Sequence, residues 1–199
     1  MAGTNRWDHE LIFELVDPCS SVLDLGCGDG ELLARLIAEK QVRGQAVEAD
    51  HKQVSSALQK GVAVYEGDLN RGLPEFNSKS FDYVILEKTL QVLRRPMLVL
   101  EEMLRIGSKC MVSFPNFNYR GVVEKLLKTG RMPVTDGLPY QWHDTPNIHL
   151  FTLYDFIDWI TDHRVEIIEG FASRASGHRP LVLPADSTGA EEVLFLLKR

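Results

Sequence analysis

The sequence predicts an α/β domain of the doubly wound type, a Rossmann-like, mostly parallel sheet with helices on both faces. Three observations carry that prediction. Short apolar runs alternate with segments of helical period along most of the chain. A glycine turn follows the first apolar run and opens a helix, in Val22-Leu-Asp-Leu-Gly-Cys-Gly-Asp-Gly-Glu-Leu-Leu33. Acids stand at the ends of the later runs, where open sheets of this kind bind ligands. At 199 residues the chain suits one such domain, which buries about 70% of its unfolded surface.

Each element has its own signal. Trp7, Leu11, Ile12, Leu15 and Val16 share one helical face before Pro18, and this first helix is expected to cover the glycine turn. Residues 21 to 25 read as a strand, 31 to 40 as a helix and 44 to 49 as a short strand. Residues 51 to 60 are helical and stop at Gly61, since glycine closes a helix readily. Strands follow at 62 to 65, 81 to 86 and 110 to 114, with a helix at 96 to 106. Their continuous apolar character is that of strands covered on both faces. Later, 154 to 161 is helical, and 164 to 171 and 193 to 198 read as the last strands. Residues 115 to 152 have no regular period and are rich in proline, aromatics and imidazole. Such loops over a strand-end crevice form lids or recognition surfaces. They are expected to be an insertion within a single domain spanning 1 to 199.

Composition excludes several classes. A net charge of −6 and a pI near 5.5 disfavour a protein built around the phosphate backbone, so no nucleic-acid partner is expected. No apolar run approaches the ~20 residues of a membrane span. The opening Met-Ala-Gly-Thr-Asn-Arg-Trp-Asp lacks the apolar stretch and cleavage pattern of a secretory leader. A soluble, cytoplasmic protein is expected, with no membrane partner. Cys19, Cys27 and Cys110 form no C-x-x-C, which fits reduced thiols. His143 and His149 have no third ligand nearby in sequence, and no metal is expected.

The site reading starts at Gly26, Gly28 and Gly30. Without Cβ atoms the backbone bends sharply, a ligand lies against the main chain, and the amides of the following helix point at it. The third glycine comes one residue early for the G-x-G-x-x-G of dinucleotide sites, and Glu31 follows it, so a zwitterion fits better than a diphosphate. With Asp24 and Asp29 flanking, this D-x-G-x-G-x-G turn resembles motif I of the class I S-adenosylmethionine (SAM) methyltransferases. The resemblance implies SAM or S-adenosylhomocysteine (SAH) as ligand, its carboxylate on amides and its ammonium on acids or carbonyls. A tight strand-helix turn with no ligand is the bland alternative. Cys27 reads as a small residue in a crowded turn. Glu48, about 20 residues on, stands where a carboxylate accepts both ribose hydroxyls, with Ala49 beside it and Asp50 as a substitute. By the same resemblance Asp68 matches the acid that meets the adenine amino group, and Leu69 packs on the ring. Taken singly, each acid reads as a helix N-cap or a solvated carboxylate.

The fourth strand ends in Leu86-Glu87-Lys88-Thr89-Leu90-Gln91, where methyltransferases line the transfer site. Glu87 is the candidate there to orient an acceptor or act as a base, and an ion pair with Lys88 is its alternative. Tyr140 is a second catalytic candidate. No Asn-Pro-Pro-Tyr type turn follows this strand, and Phe114-Pro-Asn-Phe117 comes after strand five instead, which disfavours base methylation. Methyl transfer needs chiefly alignment and exclusion of water, so a missing base does not exclude catalysis.

Beyond motif I, the segments Thr89-Leu-Gln91, Phe114-Pro-Asn-Phe117, Gly130-Arg-Met-Pro-Val134 and Leu138-Pro-Tyr140 through Thr145-Pro-Asn-Ile-His149 resemble the MetW family of methionine biosynthesis proteins, over roughly residues 10 to 172. That resemblance implies a seven-stranded sheet with an antiparallel last strand, and a role beside the homoserine O-acyltransferase that starts methionine synthesis. It supplies no methyl acceptor. Residues 180 to 192 depart from the family's ending. Two functions remain open: a SAM-binding subunit acting with the acyltransferase, and a SAM-dependent methyltransferase acting on a small metabolite.

Overall fold

The computed structural model describes residues 6–174 and 177–199. Residues 1–5, which carry much of the argument against a leader, lie outside the described residues. In chain order the elements are α1 (Trp7–Leu15), β1 (Ser21–Leu25), α2 (Glu31–Lys40), β2 (Arg43–Glu48), α3 (His51–Gln59), β3 (Ala63–Glu66), β4 (Phe81–Glu87), α4 (Pro96–Ile106), β5 (Gly107–Pro115), α5 (Arg120–Thr129), α6 (Leu153–Asp162), β6 (Glu166–Arg174), β7 (Gly177–Pro180), α7 (Asp186–Gly189) and β8 (Glu192–Lys198). The strands form one sheet in the order β3-β2-β1-β4-β5-β8-β6-β7. β1 to β5 pair in parallel, and β8 runs antiparallel between β5 and β6.

The sheet has eight strands rather than the expected seven. The additional one is β7, which pairs antiparallel with β6 from Phe171↔Pro180 to Arg174↔Gly177. Gly-His-Arg-Pro has no apolar alternation, and its proline suits an edge strand. Helix α5 lies inside the segment read as irregular. Of its residues only Val122 is buried, so its apolar stripe is too thin to stand out by period. The i,i+4 pairs of Glu124 with Arg120 and Lys128 support it instead.

The parallel strands are covered on both faces, as their apolar character implied. In β4, Val84 and Leu86 join the core under α4 and α6, while Tyr83 and Ile85 join the core under α1 and α2. With both faces sealed, the carboxyl edge of β1 to β4 is left as the place for a site.

Candidate functional site

The glycine turn leaves β1 at that edge. A Cβ on Gly26 would stand 2.8 Å from Thr89 Oγ1, so the close approach of the segment after β4 requires glycine. Gly28 has φ +56, in the left-handed region, and a Cβ there would meet nothing within 4 Å: its front is open. All three glycine N–H groups are already taken. Gly26 N donates to Val47 O at 2.8 Å, Gly28 N to Glu48 Oε2 at 2.9 Å and Gly30 N to Cys27 O at 3.0 Å. The turn uses these three amides to hold itself and Glu48, so the amides expected to face a ligand are those of the helix that follows, from Glu31 on.

Glu48 is fixed by backbone, its Oε1 accepting from Ala49 N at 2.8 Å and Asp50 N at 2.9 Å. Asp50 instead caps α3, accepting from Lys52 N and Gln53 N. Asp24 is 3% exposed, and among the described residues its carboxyl has no hydrogen bond or ion pair. Burial, and then the nearby Glu48 charge, push it up to about 7, with Arg6 partly opposing. Burial, and then Asp24, push the Cys27 thiol up to about 12, so it is a neutral space-filler. Asp68 Oδ1 accepts from Asn70 N at 2.9 Å and Asn70 Nδ2 at 2.7 Å and starts the 3-10 turn Leu69–Arg71, in which Leu69 is buried. Asp68 therefore caps a turn while it stands at the end of β3.

At the end of β4 two adjacent charges diverge. Glu87 pairs with Arg6 and, through Oε2, with His9 Nε2 at 2.9 Å. Lys88, at φ +46, reaches Asp8 Oδ2 at 3.3 Å and Glu192 Oε1 at 2.7 Å. The alternative Glu87–Lys88 pair is not seen, since Lys88 is drawn to Asp8 and Glu192 and Glu87 to Arg6 and His9. Trp7 Nε1 donates to Glu192 Oε2 at 2.5 Å. Burial raises the Asp8 carboxyl, yet Lys88, Arg6 and His9 outweigh it and hold the group below the ordinary carboxylate value. Burial, and then Arg6, hold His9 below the usual imidazole value.

These contacts strap α1 across the crevice, as its apolar face suggested. Arg6, His9, Asp24, Gly28 and Glu87 line a polar cavity of about 130 Å³ at the glycine turn. Arg6 also lines a second cavity of about 1020 Å³, bounded by Lys88, Tyr119, Ser173, Arg179 and Glu192. Tyr140 lines neither; it is 48% exposed and sits in a shallow groove with Trp142, Met132 and Leu150. Sequence reasoning missed Arg6, His9 and Glu192, and named Lys88 only as a partner of Glu87. They lie up to 186 residues apart along the chain and share no spacing, so only the packing of α1 reveals them. Among the described residues no group of three His, Cys, Asp or Glu could hold a metal, and no helix is long and apolar enough to cross a membrane.

A parallel sheet in this order, with a glycine turn after its first strand and acids after the next two, has the fold of the SAM-dependent methyltransferases. A Thermotoga maritima SAM-dependent methyltransferase, described as a possible histamine N-methyltransferase, superposes with a TM-score of 0.68 at 17% identity, over 96% of this chain and 88% of that one. A TehB-like SAM-dependent methyltransferase from Corynebacterium glutamicum gives 0.64 at 16%, over 97% and 87%. At these identities the likeness is one of fold. Within the class, the chain belongs to the MetW family: the model for methionine biosynthesis protein MetW matches residues 6–197. The bifunctional methionine biosynthesis protein MetXA/MetW of Rhodopirellula baltica is 39% identical over 171 residues, covering 81% of this chain and 27% of that protein. The chain thus spans about a quarter of that relative's length.

Proposed function

We propose that this chain binds SAM or SAH in the strand-end crevice and acts in the cytoplasm with a homoserine O-acyltransferase at the start of methionine synthesis. The observation that carries the ligand is Asp24. A buried carboxylate with no partner is costly unless a cation meets it, and the ammonium of the ligand's methionine end supplies one. Glu48, held by three amides, keeps lone pairs for the ribose hydroxyls. Asp68 and Leu69 stand for the adenine, and Asp24, Gly26, Cys27, Gly28, Gly30, Glu48, Ala49 and Glu87 surround the rest. SAM bound here supplies an electrophilic methyl on a sulfonium. The chain's own part is to bind and orient it, with α1 excluding water.

The partnership is supported by the Rhodopirellula relative, whose name joins MetXA to MetW in a single chain. Fusion keeps two units at high effective concentration, which suits units that work together. Titration calorimetry with SAM and SAH tests the ligand. Acyltransferase activity measured with and without this chain across a SAM titration tests the partnership, and absence of both a complex and any change in activity would overturn it. A methyltransferase acting on a small molecule is the second reading, favoured by the cavity of about 1020 Å³ that shares Arg6 with the glycine-turn cavity.

A further inference from the structure

We infer that the larger cavity is an acceptor site for a small carboxylic acid, and that Arg6, the side chain shared by both cavities, sets the carboxylate toward the methyl end of the glycine-turn crevice. This rests on SAM occupying that crevice and on the methyltransferase reading. Arg6 lies where the two cavities meet. Its side chain is 41% exposed although it pairs with Asp8 and Glu87, and a guanidinium carries five donors in a planar fork, more than those two pairs occupy. A group that reaches Arg6 from the larger cavity meets a guanidinium with donors to spare, which favours a carboxylate over an ammonium at that point, while Asp136, Glu191 and Glu192 line the cavity elsewhere. Lys88 stands in the same wall, 30% exposed.

The acids beside Arg6 agree with an acceptor that needs no base. Glu87, the one acid at the end of β4, has its oxygens engaged by Arg6 and His9. Asp8 and Glu192 are engaged by Lys88. A carboxylate is a nucleophile already deprotonated at neutral pH. One of its oxygens forms the new C–O bond as the S–CH3 bond breaks; the carboxylate and sulfonium charges cancel, leaving a methyl ester and neutral SAH, with no proton to move. Glu87 and Arg6 lie between the two reactants and face them with opposite charge, Glu87 toward the sulfonium and Arg6 toward the carboxylate.

The test uses the full chain with tritium-methyl SAM, and succinate, propionate and L-homoserine as probe acids, with their amides as controls. Label released as volatile methanol by alkali identifies an ester. The expected result is alkali-volatile label with at least one acid and none with its amide, and a calorimetric heat when that acid is added to SAH-saturated protein. Arg6→Met should lower turnover about 100-fold or more and abolish that heat, a loss larger than the accompanying fall in SAH affinity, which is measured in the same titration because Arg6 also lines the glycine-turn cavity. Arg6→Lys should fall between the two, and circular dichroism on both variants checks that they fold. Alkali-stable label, an Arg6→Met protein as active as wild type, or SAH heat with no response to any acid overturns the assignment alone. Absence of heat with SAH itself overturns the crevice reading, and this assignment with it.

Discussion

Asp24 couples ligand binding to pH. Its carboxyl titrates at about 7 in the folded chain against an ordinary 3.8, so the folded pKa is the raised one. The stability this group contributes is fully present below about pH 4 and is lost as pH rises through about 7, where the fold must hold a buried charge. A ligand ammonium reverses the demand, because it needs the ionised form. SAM affinity should be about tenfold weaker at pH 6 than at pH 8, and Asp24→Asn should flatten that dependence; calorimetry in both buffers decides, and a flat wild-type profile would remove Asp24 from the site. Glu48 and Asp50 make a second contrast. Glu48→Ala should weaken SAM binding by roughly 1.5 to 3 kcal/mol, the range for charge-assisted hydrogen bonds. Asp50→Ala should leave binding nearly intact and cost about 1 kcal/mol of stability through the lost cap, read by urea unfolding, and equal losses of affinity would reverse the assignment. Gly28→Val adds a branched side chain in the open front of the turn at φ +56, so SAM heat should fall steeply while circular dichroism shows the sheet intact. The sequence left Asp50 as a substitute for Glu48; the fold separates them, because β2 ends at Glu48 while Asp50 caps α3. The engagement of the Gly28 amide was not legible in the sequence either, since it depends on where the Glu48 side chain folds back.

At the scale of elements, α1 is held by charge as well as by its apolar stripe, Trp7, Leu11, Ile12 and Val16 being buried in the core. Asp8 has no exposed surface, and it lies between Arg6 and Lys88. Removing one partner of a buried group leaves the others uncompensated, so Asp8→Ala should destabilise the chain by about 3 kcal/mol and loosen α1. Urea unfolding and amide exchange over residues 6 to 16 measure this, and a loss under about 0.5 kcal/mol would mean that the strap is solvated in solution. The apolar signals of β1, β4 and β5 were legible because those strands are sealed on both faces, and α4 because a broad stripe faces the core. β7 and α5 were not, because a polar edge strand and a helix with one buried residue leave no period to read. Arg6 and His9 were hidden for a related reason: they lie before and within the first turn of α1, where sequence alone does not distinguish a solvated charge from one aimed at a strand end.

Across the whole molecule's carboxyl edge, β1 ends at the glycine-turn cavity, and β4 ends between the two cavities, Glu87 lining the smaller and Lys88 the larger. Beyond that edge the segment after β5 presents the most exposed apolar side chains, among them Leu127 at 79% and Trp142 at 76%. Exposed apolar clusters of this kind mark contact surfaces. Trp142→Ala should weaken association with the acyltransferase while SAM affinity stays within about twofold; unchanged association in a pull-down with purified acyltransferase would place the contact elsewhere. Tyr140, the other residue singled out in this segment, belongs to that outer face and not to the crevice, a distinction only the folded chain makes.

The position of β8 has a consequence of another kind. The strand formed last in the sequence is an interior strand of the sheet, paired with β5 from Cys110↔Leu197 to Pro115↔Glu192 and with β6 on its other side. Until residues 192 to 198 have been synthesised and have left the ribosome, β5 and β6 each present an open edge of unpaired amides and carbonyls, the feature that invites pairing between chains. The long sequence separation from β5 makes its closure slow. Completing the sheet therefore waits for residues 192 to 198, and the same step brings Glu192 to Trp7 and Lys88 and fastens the first helix over the crevice.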